Sequence, residues 1–141
     1  MRIELKFQEN VAIVRLRGRF LGGGDGPFLR QKVKDLVEAG TKSLVIDFAG
    51  VPYIDSTGVG FLAGVHKAAQ DAGVSMILSS LNPYVKKVLD EVRLSQVLTI
   101  VQDTAAALEK INTDVGEGPQ QSKPQASKTS RGKKQSSDPN L

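Results

Sequence analysis

The chain opens in strict alternation. Ile3, Leu5 and Phe7 are apolar and Arg2, Glu4, Lys6 and Gln8 are polar, a two-residue period that predicts a strand with one face in water. After the polar pair Glu9–Asn10, "VAIVRLR" (11–17) pairs back as the second strand of an antiparallel hairpin. The period then changes. In "GDGPFLRQKVKDLVEAG" (24–40), Leu29, Val33, Leu36 and Val37 share one helical face, with Pro27 near the start and Gly40 as the stop. "SLVIDF" (43–48) is almost wholly apolar, which predicts a central strand covered on both faces. A second helix is expected over Ser56–Ala72, with Val59, Leu62, Val65 and Ala69 in one stripe.

"VSMILSS" (74–80) reads as a further buried strand. Asn82 and Pro83 supply a cap and a first helical residue, followed by Val85, Val88, Leu89 and Val92 at helical spacing. "QVLTIV" (96–101) is a short last strand, and Asp103 caps a final Ala-rich helix carrying Leu108 and Ile111. The order β-β-α-β-α-β-α-β-α predicts an α/β domain: a mixed five-stranded sheet with about four helices, antiparallel only at the first hairpin.

Composition adds a boundary. After Asn112 the chain is rich in Gly, Pro, Ser, Gln and Lys and nearly free of large apolar residues, so it cannot bury enough surface to offset chain entropy. The expected organisation is a folded domain over 1–112 and a disordered basic tail over 113–141. Residues 1–113 hold 14 Lys and Arg against 12 Asp and Glu, and residues 114–141 hold 5 against 3, so each part contributes +2 to the net +4. A nearly balanced domain argues against a dedicated nucleic-acid surface. "RGKK" (131–134) reads as a solvated charge run.

The 141 residues include no Cys and one His, which excludes disulfides, zinc–thiolate sites and a multi-histidine metal site within one chain. No metal or other cofactor is expected. The first residues lack the apolar core of a signal peptide and no apolar run approaches a membrane span, so a cytoplasmic protein is expected.

Candidate chemistry gathers in "YIDSTGVGFL" (53–62), where a strand exit meets an acidic residue, two hydroxyls and glycine before a helix. A nucleophilic Ser56 would need a base, yet His66 lies ten residues along the same helix, and the glycines do not fit a nucleophile elbow. His66 itself falls at the margin of the buried stripe, an ordinary place for histidine. "GGGDG" (22–26) resembles a phosphate cradle but lacks the Gly-Lys-Ser/Thr ending, and a flexible turn with Asp25 near the helix cap is preferred. Asp25, Asp47 and Asp55 have the composition of a magnesium site, but turns and caps account for them better. Asp55 or Ser56 caps the second helix, and that N-terminus would tolerate a phosphate on Ser56 while changing the surface a partner meets.

The stretch "VIDFAGVPYIDSTGVGFLAGVHKAAQDAGVSMILSSLNPYVKKVLDEVRLSQVLTIV" resembles the STAS domain of bacterial anti-sigma factor antagonists, whose hallmark is Asp-Ser-Ser/Thr-Gly-Leu/Val-Gly after a central strand. The likeness extends over residues 1–112. It implies a regulator rather than an enzyme. In that family the serine after the motif's aspartate is phosphorylated by an anti-sigma factor that is itself a serine kinase, and a phosphatase restores it. Carried over by position, Ser56 is the phosphoacceptor, and Asp55, Thr57, Gly58 and Gly60 are partner-binding residues around it. Asp25 joins them from the early loop, where Leu21 stands at a position commonly occupied by aspartate. Two other classes are open to the same residues: a constitutive STAS scaffold in which Ser56 only caps its helix, and a nucleotide-binding module using "GGGDG".

Overall fold

The computed structural model describes residues 1–8 and 10–116. Strands β1 (Arg2–Gln8) and β2 (Val11–Arg17) form the expected antiparallel hairpin, with Leu5 opposite Val14. Helix α1 (Gly22–Glu38) leads to β3 (Ser43–Gly50), then α2 (Ser56–Asp71), β4 (Ser75–Ser79), α3 (Pro83–Glu91), β5 (Thr99–Val101) and α4 (Thr104–Gly116). The sheet order is β1-β2-β3-β4-β5, parallel from β2 onward. The five-stranded mixed sheet and the four helices are those the periodicity predicts. Residues Met1–Ala107 form one compact unit, and Leu108 begins a second, whose described part continues α4. The expectation of a disordered tail falls largely on residues 117–141, outside the described ones.

Alternation explains the layering. Ala12, Val14, Leu16, Leu44, Ile46, Phe48, Met76 and Leu78 point to one face and form a single cluster with Leu29 and Val33 of α1, Leu62 and Val65 of α2, and Val85 and Leu89 of α3. Ile13, Val45 and Ile77, on the other face, are buried as well, so β3 is covered on both sides as its apolar run predicts. One polar row crosses this second face. Asp47 accepts from Arg15 Nε (3.2 Å), Thr104 Oγ1 (3.1 Å) and the Ala49 amide (2.8 Å), and Ser79 Oγ lies 3.1 Å from Thr104 Oγ1. A buried carboxylate is tolerated there because its lone pairs are met.

Several boundaries differ from expectation. The last strand is only Thr99–Val101, because Leu94–Gln96 close a 3₁₀ turn after the left-handed Arg93. Val92 is 54% exposed rather than part of the α3 stripe: it is the residue after the last helical turn. The largest correction concerns "GGGDG". These residues are the first turn of α1 and not a flexible loop. Glycine is unfavourable in a helix by itself, so tertiary contact fixes the conformation.

Candidate functional site

Two loops place the α1 and α2 N-termini side by side. Beyond the ends of β2 and β3, Phe20 and Ile54 continue the parallel pairing as an isolated bridge, the Phe20 amide donating to Tyr53 O (2.8 Å) and the Asp55 amide to Phe20 O (3.2 Å). Both side chains are fully buried. Burying them brings Gly22 and Asp55, 33 residues apart, into contact.

Asp55 is the N-cap of α2, and its Oδ1 accepts from the Gly58 amide at 2.7 Å. The same oxygen accepts from the Gly22 amide at 3.0 Å, at the first residue of α1. Of the two caps open from sequence, Asp55 and not Ser56 is the one used. Helix α1 has Leu21 at its N-cap position, a side chain that cannot cap. Asp55 therefore satisfies an orphan amide in each helix, and Asp25 Oδ2 reaches back to the Leu21 amide (2.8 Å) to satisfy a third. Asp25 Oδ1 also lies 3.3 Å from the Met1 amino nitrogen. The three aspartates do not gather: Asp25 and Asp55 serve helix starts, while Asp47 belongs to the polar row.

The Gly22 amide, then the Gly58 amide, hold the Asp55 carboxyl below the usual carboxylate range, outweighing its partial desolvation. A carboxyl whose folded-state pKa is depressed stabilises the fold above its unfolded value and loses that contribution as pH falls through the folded one. Asparagine keeps an acceptor oxygen without the charge. The melting temperature of Asp55→Asn is thus expected below that of the parent at pH 7, the gap closing as pH is lowered through 3.8 and beyond. A gap that stays constant between neutral and acid pH would remove this electrostatic role.

Ser56 and Thr57, the first two residues of α2, are both exposed, Gly58 is buried beneath them, and Gly60 is exposed one turn on. With the cap supplied by Asp55, the Ser56 hydroxyl has no structural task among the described residues. The Ser56 and Thr57 amides likewise have no protein acceptor among them. They are first-turn amides at the positive end of the helix dipole. His66 lies ten residues further, about 15 Å along the helix axis at 1.5 Å per residue, so it is no base for Ser56.

Sequence reasoning missed the neighbours of this site. Tyr53 and Tyr84 stack with ring centroids 5.6 Å apart and stay partly exposed. Asn82 accepts from the Val85 amide and donates to Val51 O (3.1 Å) and Pro52 O (3.3 Å), tying the loop before Ser56 to the start of α3. Arg30 of α1 lies over the Phe61 ring, 5.2 Å from its centroid, and lines a shallow cleft with Thr57, Gly60 and Gly64. No local pattern links residues 30 or more apart.

Known proteins share this architecture. The family model for the STAS domain matches residues 2–107. The anti-sigma-B factor antagonist of Bacillus subtilis (strain 168) is 31% identical over 98 residues, 70% of this chain and 88% of that protein. The anti-sigma F factor antagonist of Paenibacillus polymyxa is 25% identical over 112 residues, 79% and 95% of the two chains. Among solved structures, the anti-sigma factor antagonist SpoIIAA in its unphosphorylated form superposes with a TM-score of 0.62 at 19% identity, covering 79% of this chain and 98% of its own. The phosphorylated form of the same Bacillus cell fate determinant gives 0.61 at 19% identity, over 78% and 99%. The fold, the Asp-Ser-Thr-Gly start of α2 and the family match agree, and the chain belongs to the STAS domain family.

Proposed function

We propose that this protein is a cytoplasmic anti-sigma factor antagonist that acts by partner switching, with residues 1–112 as the switching domain. In this reading the unphosphorylated domain binds an anti-sigma factor that is also a serine kinase, through a surface centred on Ser56. Transfer of phosphate to the Ser56 hydroxyl ends the complex, and a phosphatase restores it. The observation that carries the reading is the division of labour at α2: Asp55 holds the helix, so the exposed hydroxyl of Ser56 is available for modification at no cost to the fold. Ser56 is a substrate residue here and the domain a binding protein, not an enzyme.

The physical chemistry of the switch is local. A phosphate on Ser56 brings about −1.5 to −2 charges at neutral pH. The dipole and first-turn amides of α2 favour that charge, so the isolated domain is expected to keep its fold. In an interface the same charge must be desolvated next to the carboxylate of Asp55, and association weakens. Asp55, Thr57, Gly58 and Gly60 shape the contact, and Asp25 supports it from the start of α1. Exposed Leu21, Tyr53 and Tyr84 offer the apolar and aromatic area such a contact requires.

The Bacillus subtilis and Paenibacillus polymyxa relatives bear anti-sigma factor antagonist names, which supports the role for this chain. The test is phosphopeptide mass spectrometry on the protein isolated from its native cells in growth and under stress. Phosphate on Ser56 that varies with condition is the expected result. Its absence in every condition, with the protein recovered in a stable assembly, would replace this reading with a constitutive scaffold.

A further inference from the structure

Strand β1 is the outermost strand of the sheet, and its free edge has no partner strand among the described residues. Ile3, Leu5 and Phe7 stand opposite Leu16, Val14 and Ala12 and extend the apolar face of the sheet past the core cluster. Coverage fails at this edge: Leu5 is 40% exposed and Phe7 60%. The other face of β1 carries Arg2, Glu4, Lys6 and Gln8. Edge strands are commonly protected by brevity or by charge, lysine above all. This one is seven residues long, and its lysine is two residues from a glutamate on the same face.

We propose that β1 is a self-association edge, through which a second copy of this chain pairs antiparallel about a two-fold axis at Leu5. A closed dimer of identical edges is reciprocal, residue i meeting j wherever j meets i, so the position of the axis sets the register to be tested. With the axis at Leu5, Glu4 of each copy faces Lys6 of the other, Ile3 faces Phe7, and Leu5 faces Leu5. An axis at Leu5 is the one that pairs all seven residues of the strand: an axis at Ile3 matches Arg2 with Glu4 but leaves Lys6–Gln8 overhanging, and an axis at Phe7 pairs only Lys6–Gln8 within the strand. An axis at Glu4 sets glutamate against glutamate and Arg2 against Lys6, and an axis at Lys6 sets lysine against lysine. A slip of one residue sets apolar side chains opposite charged ones.

The Leu5 register also uses what the protomer leaves over. Glu4 receives Arg17 (3.1 Å) and Arg2 (3.8 Å) on Oε2 alone, so Oε1 remains for an incoming lysine. The exposed Leu5 and Phe7 become a continuous apolar strip across the joined sheets. This association makes no use of Ser56 and stands or falls apart from the proposed switch.

The experiment is sedimentation velocity on the full chain over a roughly hundredfold range of concentration, since a weak dimer is populated by mass action. The expected mass rises toward twice that of the protomer and no further. Glu4→Lys and Lys6→Glu are each expected to abolish the rise, by opposing like charges at two places. An equimolar mixture of the two variants is expected to restore it, as is the double exchange E4K/K6E in one chain. Circular dichroism of each variant checks the fold, and recovery in the mixture excludes misfolding as the cause of the loss. A chain that stays monomeric throughout, a dimer indifferent to both single reversals, or growth into larger species would overturn the proposal.

Discussion

Gly22→Ala is expected to destabilise the domain by about 2–3 kcal/mol, a fall in melting temperature of roughly 10–20 °C. A Cβ on Gly22 would fall on the Gly58 amide nitrogen and the Thr57 carbonyl carbon, and would come within 2.7 Å of Thr57 Cβ. Two of those three atoms are backbone, so no rotamer change relieves the clash. Moving α1 outward relieves it only by lengthening the hydrogen bond from the Gly22 amide to Asp55. Gly26 differs, because the three atoms nearest an added Cβ all belong to the Phe61 side chain rather than to backbone, although with Cγ among them the whole side chain and not the ring alone must move aside. Gly26→Ala should therefore cost less than Gly22→Ala. Gly60 provides the opposite control: a Cβ there meets nothing within 4 Å, and alanine is the better helix former by roughly 0.5–1 kcal/mol, so Gly60→Ala should raise the melting temperature. Thermal unfolding followed by circular dichroism measures all three. If Gly22→Ala melts with the parent, α1 and α2 do not meet at this glycine.

The same glycines show where sequence reasoning ends. The stripes Leu29–Val33–Leu36 and Val59–Leu62–Val65–Ala69 are local periodicities, and each is buried as its spacing requires. The apolar run of β3 announced a central strand for the same reason. Three glycines in a row, in contrast, carry turn propensity in any local scale. Only the proximity of α2, whose first turn begins 34 residues later at Ser56, makes a helix of them. The apolar face of β1 is the converse case: its alternation was read correctly, yet Leu5 and Phe7 lie at the sheet margin, where alternation does not ensure burial. At the site, Asp55 was legible as a possible cap because capping acts over three residues. Its second bond, to Gly22, was not, since nothing in the spacing of Asp55 foretells a neighbour from α1.

Ser56 variants should separate the fold from the switch. Ser56→Ala is expected to melt close to the parent, because Asp55 and not Ser56 caps α2. Under the proposed switch it should bind its anti-sigma factor kinase at all times, whatever the supply of ATP. Ser56→Glu should also fold, an acidic residue in the first helical turn being favourable, yet bind about tenfold to a hundredfold more weakly, or 1.4 to 2.8 kcal/mol. Phosphate carries more charge than one carboxylate, so the phosphorylated parent should bind more weakly still. Titration calorimetry with the purified partner, alongside melting curves, gives both readouts. Equal affinities for Ser56→Ala and Ser56→Glu would place Ser56 outside the contact, and the switch would then have to act by deforming the domain. That alternative conflicts with the local geometry. The group that joins α1 to α2 is the Asp55 carboxylate, with both of its amide bonds on Oδ1, and a charge added at Ser56 leaves those bonds their donors. A phosphate can thus alter what a partner meets without releasing the contact that sets the two helices together.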